Sequence, residues 1–286
     1  MRLLTFVHGG TEQTGVRRGE QVVPITSVVP GAPATLRGFL EDGDFGQLAG
    51  ALDANSTTAI DISDIEYRPI IPDPGKIICI GRNYAAHAAE GGAETPAFPE
   101  IFFRGATSLV GHRAPIVRPQ VSTDLDYEGE FAFVIGKRCR HASEENALDF
   151  IAGYTLFNDA TLRDYQRFST QWTIGKNFDG TGACGPELVT ADELPPGLTG
   201  MTLRTLLNGE QMQEGQTDDL VFPVRKLVAI LSQCMTLMPG DVVVTGTPAG
   251  VGYARTPPVW MKAGDTVEVE IEGLGKLANT VEDEVI

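Results

Sequence analysis

The chain has 286 residues, of which 38 are acidic and 22 are basic, so its formal net charge at pH 7 is −16. This excess of negative charge opposes binding to a phosphate backbone, and we therefore predict no nucleic-acid partner. The length is sufficient to bury a sizeable core in one large domain or in two unequal ones.

No segment of the sequence predicts export or membrane insertion. The N-terminal apolar run LLTFV is too short for the core of a signal peptide. The apolar stretch LVAILSQCMTLM is far short of the roughly 20 residues that a membrane helix needs. The cysteines are widely spaced, which fits neither a zinc site nor a disulfide framework; they are Cys79, Cys139, Cys184 and Cys234. We predict a soluble, cytoplasmic protein with no membrane partner.

The N-terminal part, residues 1–71, contains short apolar runs separated by turn residues, a pattern typical of a small β-rich domain. It ends in the segment YRPIIPDPGKI, whose three prolines and one glycine interrupt any regular element. We therefore place a second domain at residues 72–286.

Short strands dominate the second domain. The runs KIICIG, FAFVIG, DVVVTG and TVEVEIEG are rich in β-branched residues and end at glycine, and the last alternates apolar and acidic residues as a half-buried strand does. The segment PVRKLVAILSQCM has helical spacing, with Pro223 at its start. Shorter helices are predicted in SEENALDFIAG, capped by Ser143, and after Asp159. The balance is an α+β fold dominated by strands.

The segment DYEGEFAFVIG carries acids at every second position, Asp126, Glu128 and Glu130, which places them on one face of a strand. Asp159, after the apolar run GYTLF, is a candidate for a further carboxylate. Carboxylates without a nearby His or Cys cluster form the oxygen-only ligand set that Mg²⁺, Mn²⁺ and Ca²⁺ prefer. The alternative is the wet face of an edge strand whose acids pair with Lys or Arg. The spacing alone leaves both interpretations open.

Three other segments carry candidate residues. In GRNYAAHAAE, Asn83 is a potential helix cap, and His87 and Glu90 share one helical face, where the carboxylate can orient the imidazole as a general base. A histidine on an alanine-rich helix is more often inert. WTIGKNFDGTGACGP places Lys176 in a glycine-rich loop, and VVVTGTPAGVG offers Thr247 and backbone N–H groups to a carboxylate but lacks nucleotide-binding patterns. For both loops the alternative is ordinary turn chemistry.

Taken in order, these segments together with FNDATLRDYQ resemble the fumarylacetoacetate hydrolase family over about residues 76–284. The resemblance implies a mixed β-sandwich roll for the catalytic domain. It also implies that residues 1–71 correspond to the variable N-terminal part of longer members, and that the chain forms a homodimer.

The resemblance assigns roles to individual residues. Arg104 and Gly105 stand where many relatives have lysine and proline, which puts the identity of the substrate in doubt because an arginine is a forked donor. The implied metal is Mg²⁺ or Mn²⁺, with Ca²⁺ as an alternative. The implied metal ligands are Glu128, Glu130 and Asp159; the catalytic residues are His87 and Glu90, as a water-activating dyad, and Lys176; the substrate contacts are Arg82, Arg104, Gln166 and Thr247.

The activity that this resemblance implies is hydrolytic carbon–carbon cleavage of an acylpyruvate-like 2,4-dioxo acid, of the kind met in aromatic catabolism. The dyad favours hydrolysis, since only hydrolysis also requires an activated water. Isomerisation of a hydroxymuconate-type diacid and decarboxylation of oxaloacetate are the alternatives, because both need only stabilisation of an enolate. A non-catalytic ligand-binding relative is disfavoured by the complete set of acids and the dyad.

Overall fold

The structure is a computed structural model that describes residues 1–54 and 59–285. Short strands form most of its regular structure, which confirms the predicted strand-dominated α+β fold. The four runs that end at glycine all form strands, at Ile77–Gly81, Gly129–Ile135, Val242–Val244 and Thr266–Ile271. The strands are β1 (Arg2–His8), β2 (Thr11–Arg18), β3 (Gln21–Pro24), β4 (Ile60–Asp61), β5 (Glu66–Tyr67), β6 (Ile77–Gly81), β7 (Glu100–Arg104), β8 (Leu109–Val110), β9 (Ile116–Arg118), β10 (Leu125–Asp126), β11 (Gly129–Ile135), β12 (Ile151–Asp159), β13 (Thr161–Leu162), β14 (Gly182–Thr190), β15 (Thr202–Leu207), β16 (Glu210–Gln216), β17 (Val242–Val244), β18 (Thr266–Ile271) and β19 (Gly275–Asp283).

Helices are short. The helix that begins after Pro223 is confirmed, whereas SEENALDFIAG forms only a 3₁₀ turn at Ala147–Phe150 before β12 begins. The helix after Asp159 is a single turn. No helix in the described ranges combines the length and hydropathy needed to cross a bilayer. The helices are α1 (Ile25–Val28), α2 (Leu36–Asp42), α3 (Phe45–Ala54), α4 (Ala85–Glu90), α5 (Arg163–Gln166), α6 (Thr173–Lys176) and α7 (Val224–Cys234).

Two sheets make up the sandwich. The larger sheet is mixed and has the strand order β4-β3-β2-β1-β14-β12-β11-β17-β6-β7, with β5 and β8 pairing at β1 and β14. The smaller sheet has the order β16-β15-β18-β19-β9. In β18, the apolar residues Val267, Val269 and Ile271 are buried and the intervening glutamates are half-buried, as the alternation predicts. A separate pair, β10 and β13, lies beside the site described below.

The N-terminal strands extend the larger sheet, because β1 pairs antiparallel with β14. The same N-terminal part supplies α2 and α3, whose apolar residues, among them Phe39 and Leu48, pack on one face of that sheet. The N-terminal strands are therefore hydrogen-bonded into the same sheet as strands of residues 72–286. A domain boundary between residues 71 and 72 stays a prediction.

The central strand β11 is buried on both faces. Phe131, Phe133 and Ile135 face the core between the two sheets, whereas Ala132 and Val134 face the core beneath α2 and α3. This strand is therefore held rigidly from both sides. A functional group at its N-terminal end has a fixed position.

Candidate active site

Strand pairing brings the three predicted acids together. Strands β11 and β12 are antiparallel with Gly129 opposite Asn158, so Asp159 lies across from Glu128, and its N–H donates to the Glu128 carbonyl at 2.9 Å. Glu130 follows two residues later on the same face. All three side chains are buried, and one oxygen of each lies within 4.8 Å of the others.

Cations neutralise two of these acids but not the third. Lys176 Nζ lies 2.6 Å from both Glu128 Oε2 and Asp159 Oδ2. Arg163 Nη2 lies 2.6 Å from Glu128, and Arg104 Nη1 lies 2.6 Å from Asp159. Within the described ranges Glu130 makes no ion pair. The alternative of acids paired with Lys or Arg therefore applies to Glu128 and Asp159 and leaves Glu130 uncompensated.

The acids differ in proton affinity. Burial and the charges of Asp159 and Glu128 raise the pKa of Glu130 well above its ordinary value. Burial also acts to raise the pKa of Glu128, but the charges of Arg163 and Lys176 overcome it and lower that pKa to about 2. A cation beside Glu130 would offset the cost of its buried charge. The all-oxygen ligand set and the uncompensated carboxylate fit a divalent metal ion.

Asp126 does not belong to this group, contrary to its spacing. It ends β10, which pairs with β13, so it is not on the strand that carries Glu130. Its carboxylate accepts the N–H groups of Gly252 and Tyr253 at 2.7 and 3.0 Å and faces Arg163 Nε at 2.8 Å. Asp126 therefore anchors Arg163.

The dyad lies together on α4, with His87 Nδ1 3.5 Å from Glu90 Oε2. This distance is too long for a hydrogen bond, and Nδ1 has no partner within the described part of the chain. Both oxygens of Glu90 accept the N–H of Gly250, at 2.9 and 3.1 Å. The carboxylate is thus fixed in place beside the imidazole.

Asn83 does not cap α4 with its side chain. Its amide nitrogen donates to the carbonyls of Phe222 and Thr245, at 3.2 and 2.8 Å, and its Oδ1 accepts the Phe222 N–H at 2.7 Å. The side chain instead joins the chain just before α4 to the segments that precede α7 and follow β17.

The glycine-rich segment after β17 binds the protein's own carboxylates through its backbone. The Gly246 N–H donates to Glu130, and the Gly250 N–H donates to Glu90. N–H groups of the same segment also bind Asp126, as described above. Gly250 has a φ of 105°, and a Cβ there would lie 2.3 Å from the Met212 carbonyl oxygen. The carboxylates that this loop binds in the structure are therefore side chains of the protein itself.

A cavity of about 340 Å³ opens above the acids. Glu90 and Arg104 do not line it. Among its lining residues that the sequence did not single out are Arg163, Arg167, Trp172 and Tyr253. The predicted site residues that line it are Arg82, His87, Glu128, Glu130, Asp159, Gln166, Lys176 and Thr247.

Two predicted substrate contacts are partly occupied by protein partners. The Thr247 hydroxyl donates to the Gly129 carbonyl at 2.8 Å and accepts from Gln213, so it has no second proton to donate to a carboxylate. Gln166 Oε1 accepts from Arg163 at 3.1 Å, which leaves the amide nitrogen of Gln166 as its donor.

Arg82 also lines the cavity, and its left-handed backbone, with φ of 51°, is unusual for a residue other than glycine. Its Nε lies 2.7 Å from Glu100, and its guanidinium lies 5.3 Å from the centroid of the Trp172 ring. The charge of Arg82 is therefore already paired at the wall of the cavity.

The expectation that Arg104 contacts substrate is not supported by its position. Its side chain is fully buried at the end of β7 and holds Asp159. Nη1 also donates to the Ala160 carbonyl at 3.2 Å, and the other nitrogens donate to Thr181 Oγ1 at 2.8 Å and Ser108 Oγ at 3.2 Å. A forked donor fits these acceptors together, which makes Arg104 a positioning residue for Asp159.

Replacing Arg104 with methionine is expected to weaken binding of Mn²⁺ by about 10- to 100-fold, the usual effect of losing a residue that orients a metal ligand. Arg104→Lys should recover part of the affinity, because it keeps the charge but not the fork. Calorimetric titration with Mn²⁺ measures both. Arg138→Met, at an exposed arginine away from the cavity, is the control; equal affinities in Arg104→Met and the control would contradict the assignment.

Arg163, Arg167 and Tyr253 were not predicted. Arg163 and Arg167 lie four residues apart, and their guanidinium carbons lie 4.6 and 4.9 Å from the centroid of the Tyr253 ring. The sequence feature that could have indicated them is the group of acids expected to be buried, since buried carboxylates require cationic partners. That feature names a residue type but no position.

Comparison with known proteins agrees with this geometry. The sequence profile of the fumarylacetoacetate (FAA) hydrolase C-terminal region matches residues 76–282. The chain belongs to the fumarylacetoacetate hydrolase family. It is 41% identical to the oxaloacetate tautomerase fahd2, mitochondrial, of Xenopus laevis, over 98% of this chain and 90% of the relative.

Solved structures to which the chain is similar have other named activities. The maleylpyruvate hydrolase from Sphingobium sp. SYK-6, in complex with manganese(II) and pyruvate, has a TM-score of 0.83 and 29% identity over all of both chains. The 5-carboxymethyl-2-hydroxymuconate delta-isomerase from Mycobacterium smegmatis has a TM-score of 0.78 and 33% identity over 99% of this chain and all of that one.

Together these findings support an enzyme of this family whose buried acids suit a divalent metal. A homodimer, a cytoplasmic location and a role in aromatic catabolism stay predictions.

Proposed function

We propose that the chain is a divalent-metal-dependent tautomerase that interconverts the enol and keto forms of oxaloacetate or a closely similar 2-oxo acid. The observation that carries the proposal is the uncompensated Glu130 within a group of three acids at the base of the cavity. Similarity to a named oxaloacetate tautomerase over nearly the full chain supports it. Tautomerisation is a form of isomerisation, which the sequence left open as an alternative to hydrolysis.

The acids define what kind of chemistry the site supports. A divalent ion held by Glu128, Glu130 and Asp159 would supply Lewis-acid stabilisation of the enolate that both tautomers share. Lys176 adds a positive charge beside the same acids. Burial acts to lower the pKa of Lys176, but the charges of Asp159 and Glu128 raise it, so the amine stays protonated and is unsuited to act as a base.

Tautomerisation also requires a group that moves one proton. A C–H bond forms at the carbon next to the oxo group as the enol O–H bond breaks, and the reverse holds for the opposite direction. His87 lies in the cavity wall, and the Glu90 carboxylate, 3.5 Å from Nδ1, favours a proton on that nitrogen through its negative charge although the two atoms are too far apart for a hydrogen bond. Nε2 is then the nitrogen that accepts and returns the substrate proton.

Hydrolysis of an acylpyruvate-like acid is the second candidate. The same pair, His87 and Glu90, is suited to activating water, and the similarity to a maleylpyruvate hydrolase supports it. The two candidates differ in whether a carbon–carbon bond breaks, and substrates that report on each reaction separate them.

The test compares enol decay of oxaloacetate with cleavage of acylpyruvates, in the presence of Mg²⁺ or Mn²⁺. We expect ketonisation of oxaloacetate enol well above the rate with the same metal alone, and slower or no cleavage of acylpyruvates. His87→Gln should reduce ketonisation by about 100-fold or more, the usual scale for a general acid–base residue, whereas Arg138→Gln should not. Brisk acylpyruvate cleavage without faster ketonisation would reject the tautomerase in favour of the hydrolase.

A further inference from the structure

The cationic side chains that line the cavity differ in whether they already have an acidic partner. Arg163 pairs with two acids and Lys176 with two. Arg82 pairs with Glu100. Arg167 alone among these arginines and lysines makes no ion pair to any described residue. Its charge is available to a ligand.

Arg167 is held at the cavity although it is exposed. It directly follows α5, and its guanidinium stacks on the Tyr253 ring at 4.9 Å from the centroid. The backbone of Tyr253 is held because its N–H donates to the buried Asp126, and its ring also stacks against the buried Arg163, at 4.6 Å. Stacking of this kind orients a guanidinium and leaves its N–H edge free to bind a carboxylate.

The acids and Arg167 occupy different depths of the site. Glu128, Glu130 and Asp159 are buried, whereas Arg167 is exposed. A 2-oxo acid whose oxo group and first carboxylate lie near the buried acids would direct its other end toward the solvent side of the cavity. A chain with a net charge of −16 repels dianions in general, so an unpaired arginine at this position is a local exception.

We infer that Arg167 binds the distal carboxylate of the substrate and thereby selects 2-oxo dicarboxylates over 2-oxo monocarboxylates. This inference rests on the proposed function for the identity of the reacting end of the substrate. Arg167 is a specificity residue in this role, and it takes no part in proton transfer. The competing explanation is a solvated arginine that only packs on Tyr253.

The experiment measures binding of two unreactive ligands to the Mn²⁺-loaded protein by calorimetry. Malate and lactate are both 2-hydroxy acids, and malate has the additional distal carboxylate. We expect the wild-type protein to bind malate about 10-fold or more tightly than lactate, as a hydrogen-bonded charge pair predicts. Arg167→Gln should remove most of this preference and leave lactate binding unchanged. Arg167→Lys should keep part of it, and Arg138→Gln all of it.

Two results would overturn the inference: no preference for malate in the wild-type protein, or a wild-type ratio in Arg167→Gln. Ketonisation of oxaloacetate enol is measured in parallel. If malate is preferred in an Arg167-dependent manner and ketonisation is not accelerated, the proposed function fails and the inference stands. If ketonisation is accelerated and the ratio is insensitive to Arg167, only the inference fails.

Discussion

Replacing Glu130 with glutamine is expected to reduce the affinity for Mg²⁺ or Mn²⁺ by more than about 100-fold, since loss of a ligand should exceed the effect of losing a residue that merely orients one. Activity that depends on the metal should fall with it. The fold should persist, because glutamine has nearly the same shape and its carbonyl oxygen still accepts the Gly246 N–H. Calorimetric titration with each metal measures the change in affinity.

In the metal-free protein, by contrast, the same substitution is not expected to weaken the protein, because the property at issue there is the stability of the fold. Because the pKa of Glu130 is raised in the fold, the folded state binds a proton more readily than the unfolded chain does. The contribution of Glu130 to stability is present below the ordinary glutamate pKa and is lost as pH rises through the raised value.

We therefore expect the metal-free glutamine variant to be at least as stable as the wild-type protein at pH 7. Urea unfolding in the presence of a chelator measures this. Glu210→Gln, at an exposed glutamate whose side chain has no described partner, is the control and should change neither property. Unchanged metal affinity, or a large loss of stability without metal, would refute the assignment of Glu130.

Replacing Arg163 with methionine is expected to lower the free energy of unfolding by about 3 kcal/mol, the lower end of the range for breaking a buried ion pair. The side chain of Arg163 is 3% exposed and faces two buried acids, Asp126 and Glu128. Both acids keep other partners. Backbone N–H groups still bind Asp126, and Lys176 still pairs with Glu128. This retained pairing is why we do not expect a larger loss.

Arg167→Met is the matched control for this experiment. Arg167 stacks on the same Tyr253 ring but is exposed and has no acidic partner in the described ranges. Its replacement should change stability by no more than about 0.5 kcal/mol, as is usual for surface positions. Urea denaturation at constant pH compares the two variants. Equal losses would show that stacking on Tyr253, and not the buried charges, accounts for the effect of Arg163.

Much of the site followed from local sequence patterns. The period-two spacing of Glu128 and Glu130 places both on one face, and the three-residue spacing of His87 and Glu90 places both on one helix. These relations depend only on the geometry of a single element. They therefore survive folding unchanged, and the structure brings both pairs together as expected.

Other features depend on contacts between distant segments. Arg104 was interpreted as a substrate contact because a residue type does not reveal depth, and the acceptors that bury it come from several segments, including Ser108, Asp159 and Thr181. Asp126 has the same two-residue spacing as Glu128 and Glu130 but lies in β10. The pairing of β10 with β13 cannot be read from local periodicity. The partners of buried charges become evident only when the register of the strands is known.

The segment from Gly246 to Tyr253 has a consequence for how this site can acquire new substrates. One short stretch of backbone holds Glu130, Glu90 and Asp126 at once, and a side chain at Gly250 would collide with a neighbouring carbonyl. A substitution in this segment would disturb the acids, the His87 imidazole beside Glu90, and Asp126, which anchors Arg163, all at once. The segment is therefore not expected to accept substitutions one at a time. The side chain of Arg167 has no such shared duties, because it stacks on Tyr253 but makes no ion pair to any described residue. Divergence toward new oxo acids, in nature or in directed evolution, is therefore expected to begin at position 167 itself while the glycine-rich segment stays unchanged.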